Sequence, residues 1–335
     1  MNYNNFESKL FIKYKSTYKS GLIDLTTHTF FMSSNIYLMY YLKNSWLSIF
    51  TIPLLSLFFF RSFVIFHDCC HNSYTPNKIL NNIISNVLGI FVFTSPNWLL
   101  DHNTHHLTNG NIENKENYFF NETIILTKKQ YISYNKKNKN IYYFYKNPYI
   151  FFTIVPLIYF VIVQRFIYIY KKYKRPLKYN KSLFMITFDH LINNLGILYK
   201  FYFIFKYDLF YHYIISIFLS TTLLFLNFHN QHSYNPCYVV NNNKWSQKNS
   251  GIYGSAFTQI PNYLKYFFMG IEYHHIHHIN SKIPGYNLQK YHEEVIFKSK
   301  LFDNVHKITI YDFFNNLWLV LYDTENNNYI TFQEI

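Results

Sequence analysis

The chain has 335 residues, half of them hydrophobic and 22% aromatic, with 14% charged, 8 glycines and 3 cysteines. These proportions exclude a disordered or collagen-like chain and a disulfide-stapled scaffold. The net charge of +14 fits a nucleic acid, an anionic membrane surface or an acidic protein partner, so the distribution of apolar residues has to choose among them.

Residues 1–24 carry Glu7 and Lys9, Lys13, Lys15 and Lys19 among polar neighbours, without the compact apolar core of a secretory signal, and read as a cytosolic N-terminal segment. Residues 25–42 and 46–66 are predominantly apolar, with Lys43, Asn44 and Ser45 as the polar run between them. About 20 apolar residues cross a bilayer, so the two stretches predict a transmembrane hairpin over 25–66 rather than a pair of buried helices in a soluble protein. Arg61 falls late in the second stretch, where a long side chain is expected to reach the interface. Residues 79–100 are mildly apolar but broken by Asn81, Asn82, Asn86, Pro96 and Asn97, which predicts a helix on or dipping into the membrane. Residues 108–147, with Lys128, Lys129, Lys136, Lys137 and Lys139, read as a cytosolic loop.

Three more apolar segments follow, at 149–170, 182–205 and 209–227. Lys171, Lys172, Lys174 and Arg175 match the basic loop before 149, which puts both ends of the first segment on the cytosolic side. That segment, interrupted by Pro156, is expected to be interfacial or re-entrant, and the other two form a second hairpin over about 183–227. Cys69, Cys70 and Cys237 have neither disulfide nor zinc-ribbon spacing and read as reduced and intracellular.

Eleven of the 16 histidines fall in four groups: His67 and His71; His102, His105 and His106; His229 and His232; and His274, His275, His277 and His278. Spacings of three and four place side chains on one helix face, so each group can aim two or three imidazoles at one point. Imidazole suits several transition metals, and one ion needs only three or four ligands, so about nine converging histidines imply two ions. His229 and His275 each have a better-placed neighbour and are possible ligands only. His28, His190, His212, His292 and His306 stand alone and read as structural. The lysine-derived topology puts all four groups just outside one face of the bilayer. A non-enzymatic metal transporter would instead hold its sites near the midplane, and a nucleic-acid binder would gather its basic residues into one patch.

The boxes HDCCHNSYTPNKILNN, DHNTHHLTNGN, NFHNQHSY and GIEYHHIHHINSKIPGYNLQKYHE, spread over about residues 61–292, resemble in order those of the membrane fatty-acid desaturases of the acyl-lipid type. The resemblance implies an all-α, multi-pass transmembrane protein with a cytosolic histidine-box cap, in which His67, His71, His102, His105, His106, His232, His274, His277 and His278 ligate two Fe2+ ions and carry catalysis. It implies a desaturase domain at 25–292 and a cytosolic C-terminal tail at 293–335. The expected reaction places a cis double bond in a fatty acyl chain, carried by a lipid or by CoA, using O2 and two electrons from an external carrier of ferredoxin or cytochrome b5 type, since no haem module is attached. The implied partners are the acyl lipid and membrane lipids, with no nucleic acid. A related hydroxylase or ketolase is the alternative. Two positions depart from the family pattern: Cys70, where Gly is usual, and Glu272, where a small residue is common.

Overall fold

The structure, a computed structural model, describes residues 3–113, 125–165 and 182–335. The helices that build the site are, in chain order, α1 (Tyr18–Leu42), α2 (Thr51–Cys70), α3 (Lys78–Phe91), α4 (Leu99–Thr108), α5 (Leu183–Lys206), α6 (Phe210–His232), α7 (His274–Ile279) and α8 (Gly285–Lys298). Short polar side chains start several of them by accepting otherwise unpaired N–H groups. Thr17 accepts from Ser20 at 3.1 Å, Asn77 from Ile79 at 2.8 Å and Ser182 from Met185 at 3.2 Å.

Helix α2 forms the centre. Phe58, Phe59, Phe60, Val64, Ile65 and Phe66 are all buried there, and α2 packs against α1, α3 and α6. Outer faces stay apolar: Phe30, Phe31, Tyr37 and Tyr41 on α1 and Phe184, Leu195, Leu198 and Tyr202 on α5 are exposed. Water does not favour such faces, whereas lipid does.

The stretches Trp46–Cys70 and Phe210–His232 are long and apolar enough to cross a membrane. Their expected hairpin partners, α1 and α5, have spanning lengths of 25 and 24 residues but carry more polar side chains, among them Asn35 in α1 and Asp189, Asn193 and Lys200 in α5. The two turns nevertheless lie together. Lys43 Nζ donates to the Tyr207 carbonyl at 2.8 Å, and the Tyr40 and Tyr207 rings meet edge to face at 5.6 Å. The histidine-bearing ends of α2 and α6 lie at the other end of these helices.

Helix α3 does not run straight. It ends at Phe91, Phe93 takes a left-handed φ of 56°, and the chain restarts at Pro96 and turns into α4, so the pair bends by 103°. The single helix expected over 79–100 is thus two helices meeting at a sharp bend. The described part of the 149–170 segment is broken in the same way, with short helices Pro148–Phe151 and Ile154–Ile158 followed by a π-helical turn at Tyr159–Val163. Its remainder, with Lys171, Lys172, Lys174 and Arg175, lies outside the described residues.

Three expectations need correction. Arg61 does not reach the interface: it is 2% exposed, its guanidinium pairs with Asp24 of α1, donates to the Tyr266 carbonyl and stacks 4.1 Å from the Tyr266 ring centroid. A partner facing it from the next helix makes the inward rotamer cheaper than a long exposed reach. Tyr74 completes the arrangement by donating to the other Asp24 oxygen at 2.8 Å. The described part of 108–147 is not loop throughout, because a Thr127–Gln130 capping box starts helix Lys128–Ser133 and Asn135 caps Lys136–Lys146.

Nor is the fold purely helical. Leu126–Thr127 pairs in parallel with Leu321–Asp323, which pairs antiparallel with Asn328–Ile330, and Phe257–Thr258 pairs with Lys307–Ile308. Strands of two or three residues are too short for alternation to announce them. These pairings stitch residues 307–330 onto the body, and α8 runs straight through residue 292.

Two outcomes follow from this arrangement. Accessibility tags at Lys137 and at the C-terminus should report one side of the membrane and a tag near Asn44 the other; a tag at Asn44 on the same side as Lys137 would break the first hairpin. Replacing Arg61 with Ala leaves the half-buried Asp24 with Tyr74 as its remaining partner and should cost roughly 2 kcal/mol, read as thermal unfolding in detergent, and the double change D24N/R61M should recover most of it.

Candidate metal centre

Four chain segments deliver the histidines. The last turn of α2 presents His67, with His71 capping the helix one turn later. Helix α4 presents His102, His105 and His106, the end of α6 presents His232, and α7 consists largely of His274, His275, His277 and His278. A left-handed Gly270, φ 85°, makes the tight turn that leads into α7, and a Cβ there would meet the Gly285 backbone.

All nine expected ligands are buried, none more than 7% exposed, and they form two groups. His67, His71, His102, His106 and His277 make one; His105, His232, His274 and His278 make the other; within each, the available nitrogens lie within 4.8 Å of one another. The boxes are divided between the groups. At about 100° per residue, positions four apart differ by roughly 40° and adjacent ones by far more. His102 and His106 therefore face one group while His105 faces the other, and His274 and His278 share a group while His277 turns to its neighbour.

In the four-histidine group the Nε2 atoms close a ring: His105 to His232 3.2 Å, His232 to His274 2.9 Å, His274 to His278 3.1 Å and His278 to His105 3.2 Å. The five-histidine group runs His67 to His102 3.0 Å, His102 to His106 2.9 Å and His106 to His277 3.0 Å. Neutral imidazoles carry one N–H each, so a closed ring of four Nε2 atoms cannot satisfy all four contacts by hydrogen bonding. His71 Nε2 has no hydrogen-bond partner among the described residues. Nitrogens held about 2.1 Å from one cation sit roughly 3 Å apart, which is the spacing seen. The residues therefore fit a metal ion at each group.

Electrostatics agree. Burial, and behind it the neighbouring imidazoles, holds His71, His274, His277 and His278 well below the usual imidazole range. They are neutral, the form that ligates. His232 Nδ1 lies 3.1 Å from the Gly254 carbonyl, which fixes the proton there and leaves Nε2 free.

His229 and His275 are not brought into either group. His229 Nε2 bonds the Asn316 carbonyl at 2.8 Å, and His275 Nε2 bonds His292 Nδ1 at 3.1 Å. Of the lone histidines, His28 bonds Ser62 at 2.9 Å, His212 bonds Ser48 at 3.0 Å and His306 stacks on Tyr234. Glu272 is buried just before α7, and burial raises its carboxyl to about 7.

An apolar cavity of about 50 Å3 opens between the groups. His67 and His102 of one group and His274 of the other line it, with Phe63, Tyr159 and Phe225 among the apolar lining. Several of its residues escaped the sequence reading. Trp98 stacks on His102 at 4.2 Å and 20°. Asn227 and Gln231, one turn apart on α6, line the cavity, and their side-chain oxygens have no hydrogen-bond partner among the described residues. Their i, i+4 spacing beside His232 was a usable signal.

The profile of the family described as "Fatty acid desaturase" matches residues 44–300. A "Fatty acid desaturase" of Bacillus subtilis (strain 168) is 29% identical over 322 residues, 95% of this chain and 87% of that protein. Shorter similarities reach the "sn-1 acyl-lipid omega-3 desaturase (ferredoxin)" of Nostoc sp. (strain 36), 36% over 62 residues, 18% of this chain and 17% of that one. The "Acyl-lipid omega-3 desaturase (cytochrome b5), endoplasmic reticulum" of Arabidopsis thaliana is 34% identical over 61 residues, 18% and 16% of the two chains.

The partition into two groups can be read directly. His277→Ala removes a nitrogen from the five-histidine group and His105→Ala one from the four-histidine group. Each purified variant should retain roughly one metal ion fewer per chain than the parent while eluting as the same monodisperse species; full metal content in either would remove that residue from the ligand set.

Proposed function

The chain belongs to the fatty acid desaturase family, and from that premise we propose that it places a cis double bond in the acyl chain of a membrane lipid, using O2 and two electrons from a separate carrier protein. The observation that carries this reading is the apolar cavity lined by histidines of both groups. Its size and apolar lining suit a few methylenes of an acyl chain, and its histidines bring them beside both groups that would hold metal.

Nine histidines, His67, His71, His102, His106 and His277 with His105, His232, His274 and His278, would hold two iron ions. Bound there, iron supplies the redox chemistry with O2 that an unactivated C–H bond demands and that zinc lacks. In the balance, two hydrogens from adjacent methylenes and two electrons with two protons reduce O2 to two waters, and the carbon pair gains its double bond.

The protein's own contribution is placement. Phe63, Tyr159 and Phe225 hold the chain by dispersion contacts, and a shift of about 1 Å in that hold is enough to change reactivity at a given carbon. The apolar walls exclude water from the reacting carbons. Trp98, stacked on His102 and lining the same cavity, keeps that imidazole from rotating toward the substrate.

The names of two relatives carry ferredoxin and cytochrome b5, and a small carrier of that kind is the donor proposed here. The positive-inside bias of Lys9, Lys13, Lys15 and Lys19 and of Lys128, Lys129, Lys136, Lys137 and Lys139 supports a multi-pass arrangement with the N-terminus, the histidine groups and the C-terminus in the cytosol. The desaturase domain then runs over 25–292, with both expected hairpins beneath it.

Expression in a host that lacks polyunsaturated fatty acids tests the proposal. Gas chromatography of the lipids should show a new cis-unsaturated acyl chain that needs O2 and disappears in H105A and H277A, and the purified protein should hold about two irons per chain. A hydroxylated product in place of the olefin would favour the hydroxylase alternative, and stoichiometric zinc in active protein would end the iron reading.

A further inference from the structure

Asp68 adjoins a ligand of the five-histidine group, is 2% exposed, and uses both carboxylate oxygens. Oδ1 lies 3.2 Å from His67 Nδ1. Oδ2 accepts the N–H of Gly285 at 2.6 Å, the first residue of α8, 217 positions along the chain. Buried carboxylates are rarely kept without a reason, and here the two bonds join the first histidine box to the segment that follows the last one.

From this geometry we infer that Asp68 is a positioning residue for the five-histidine site: it holds the His67 proton on Nδ1 and aims Nε2 at the metal, while the start of α8 holds Asp68. The inference rests on the two-metal reading of the histidine groups.

Each half of the contact has its own physical reason. An imidazole that donates Nδ1–H to a carboxylate presents an unprotonated Nε2, in one ring orientation and with raised basicity. His67 Nε2 does point into the group, 3.0 Å from His102 Nε2. On the other side, the first N–H groups of a helix have no intrahelical acceptor, and a carboxylate there meets both the free donor and the positive end of the helix dipole. The approach needs glycine: a Cβ at 285 would meet the Met269 carbonyl and lie 3.2 Å from Asp68 Oδ2.

Two neighbouring bonds sew the same segments together without touching His67. Lys282 Nζ donates to the His71 carbonyl at 2.5 Å, and the Tyr286 hydroxyl donates to the Tyr74 carbonyl at 2.8 Å. They provide a control, because a purely architectural role for Asp68 would be shared with Tyr286. In the four-histidine group His232 Nδ1 uses the Gly254 carbonyl instead, and Asp68 touches none of that group's imidazoles. The consequence is site-selective.

The test uses the full-length protein loaded with 57Fe, with iron content and Mössbauer spectra as readouts. Asp68→Asn keeps shape and one acceptor but cannot serve both donors. Affinity at the five-histidine site should fall roughly 10- to 100-fold, so that under limiting iron D68N retains about half the iron of the parent, one spectral component is lost and the other is unchanged. Tyr286→Phe should keep both components. Unaltered spectra in D68N, equal loss of both components, or the same selective loss in Y286F would each overturn the inference. If D68N does not accumulate as folded protein, Asp68→Glu carries the test: its displaced carboxylate should shift one component only, and an unshifted spectrum would overturn the assignment. Two components in the parent establish the two-metal premise separately, so its failure is visible before any variant is read.

Discussion

Nine imidazole nitrogens must arrive at two points without water and without charge. Imidazoles in water would hydrogen-bond solvent or take a proton near neutral pH; packed against one another at about 3 Å they can do neither. A protein satisfies that constraint only by holding each ring on a stiff element whose direction is set from elsewhere. Helices do so economically, since residues four apart point nearly the same way. The bent α3–α4 pair, the long α2 and α6 and the short α7 are each placed so that one end meets the others.

The apolar body beneath serves the same constraint. In lipid, helices gain little by hiding apolar surface from one another, so close packing and buried polar contacts must fix their register. The Asp24–Arg61 pair does this between α1 and α2, reinforced by Tyr74 and Tyr266. It lies six residues from His67, within two turns of the same helix. A slip in the α1–α2 register would therefore carry His67 and His71 with it. The Asp68 contact fixes the final turn of that helix against α8, so α2 is held at both levels.

Apart from the unbroken α2 and α6, the segments that approach the histidine groups or the cavity do so through a break in regular structure. Helix α3 stops and the chain turns sharply through Phe93 and Pro96, the 148–163 segment passes through a π-helical turn, and Gly270 turns the chain into α7. Each break redirects side chains that a straight helix would have aimed at lipid. Tyr159, in the π-helical turn, reaches the cavity in this way.

The sequence by itself determined the properties that live within one contiguous stretch. Apolar runs marked the long helices, asparagine and proline interruptions set 79–100 apart from them, and the i, i+3, i+4 spacing selected His67, His71, His102, His105, His106, His232, His274, His277 and His278 from 16 histidines. Residues of one segment share a helix geometry that spacing alone reports. What only the tertiary structure decided is how the segments meet. The division of the boxes into groups of five and four depends on the rotation of α4 and α7 about their axes. Arg61 faces Asp24 rather than the interface, Asp68 meets Gly285, and short strands join residue 126 to residue 321, all through contacts between residues 37 to 217 positions apart. Periodicity says which residues share a face; crossing angle and register, set by packing across the whole body, say what that face will meet.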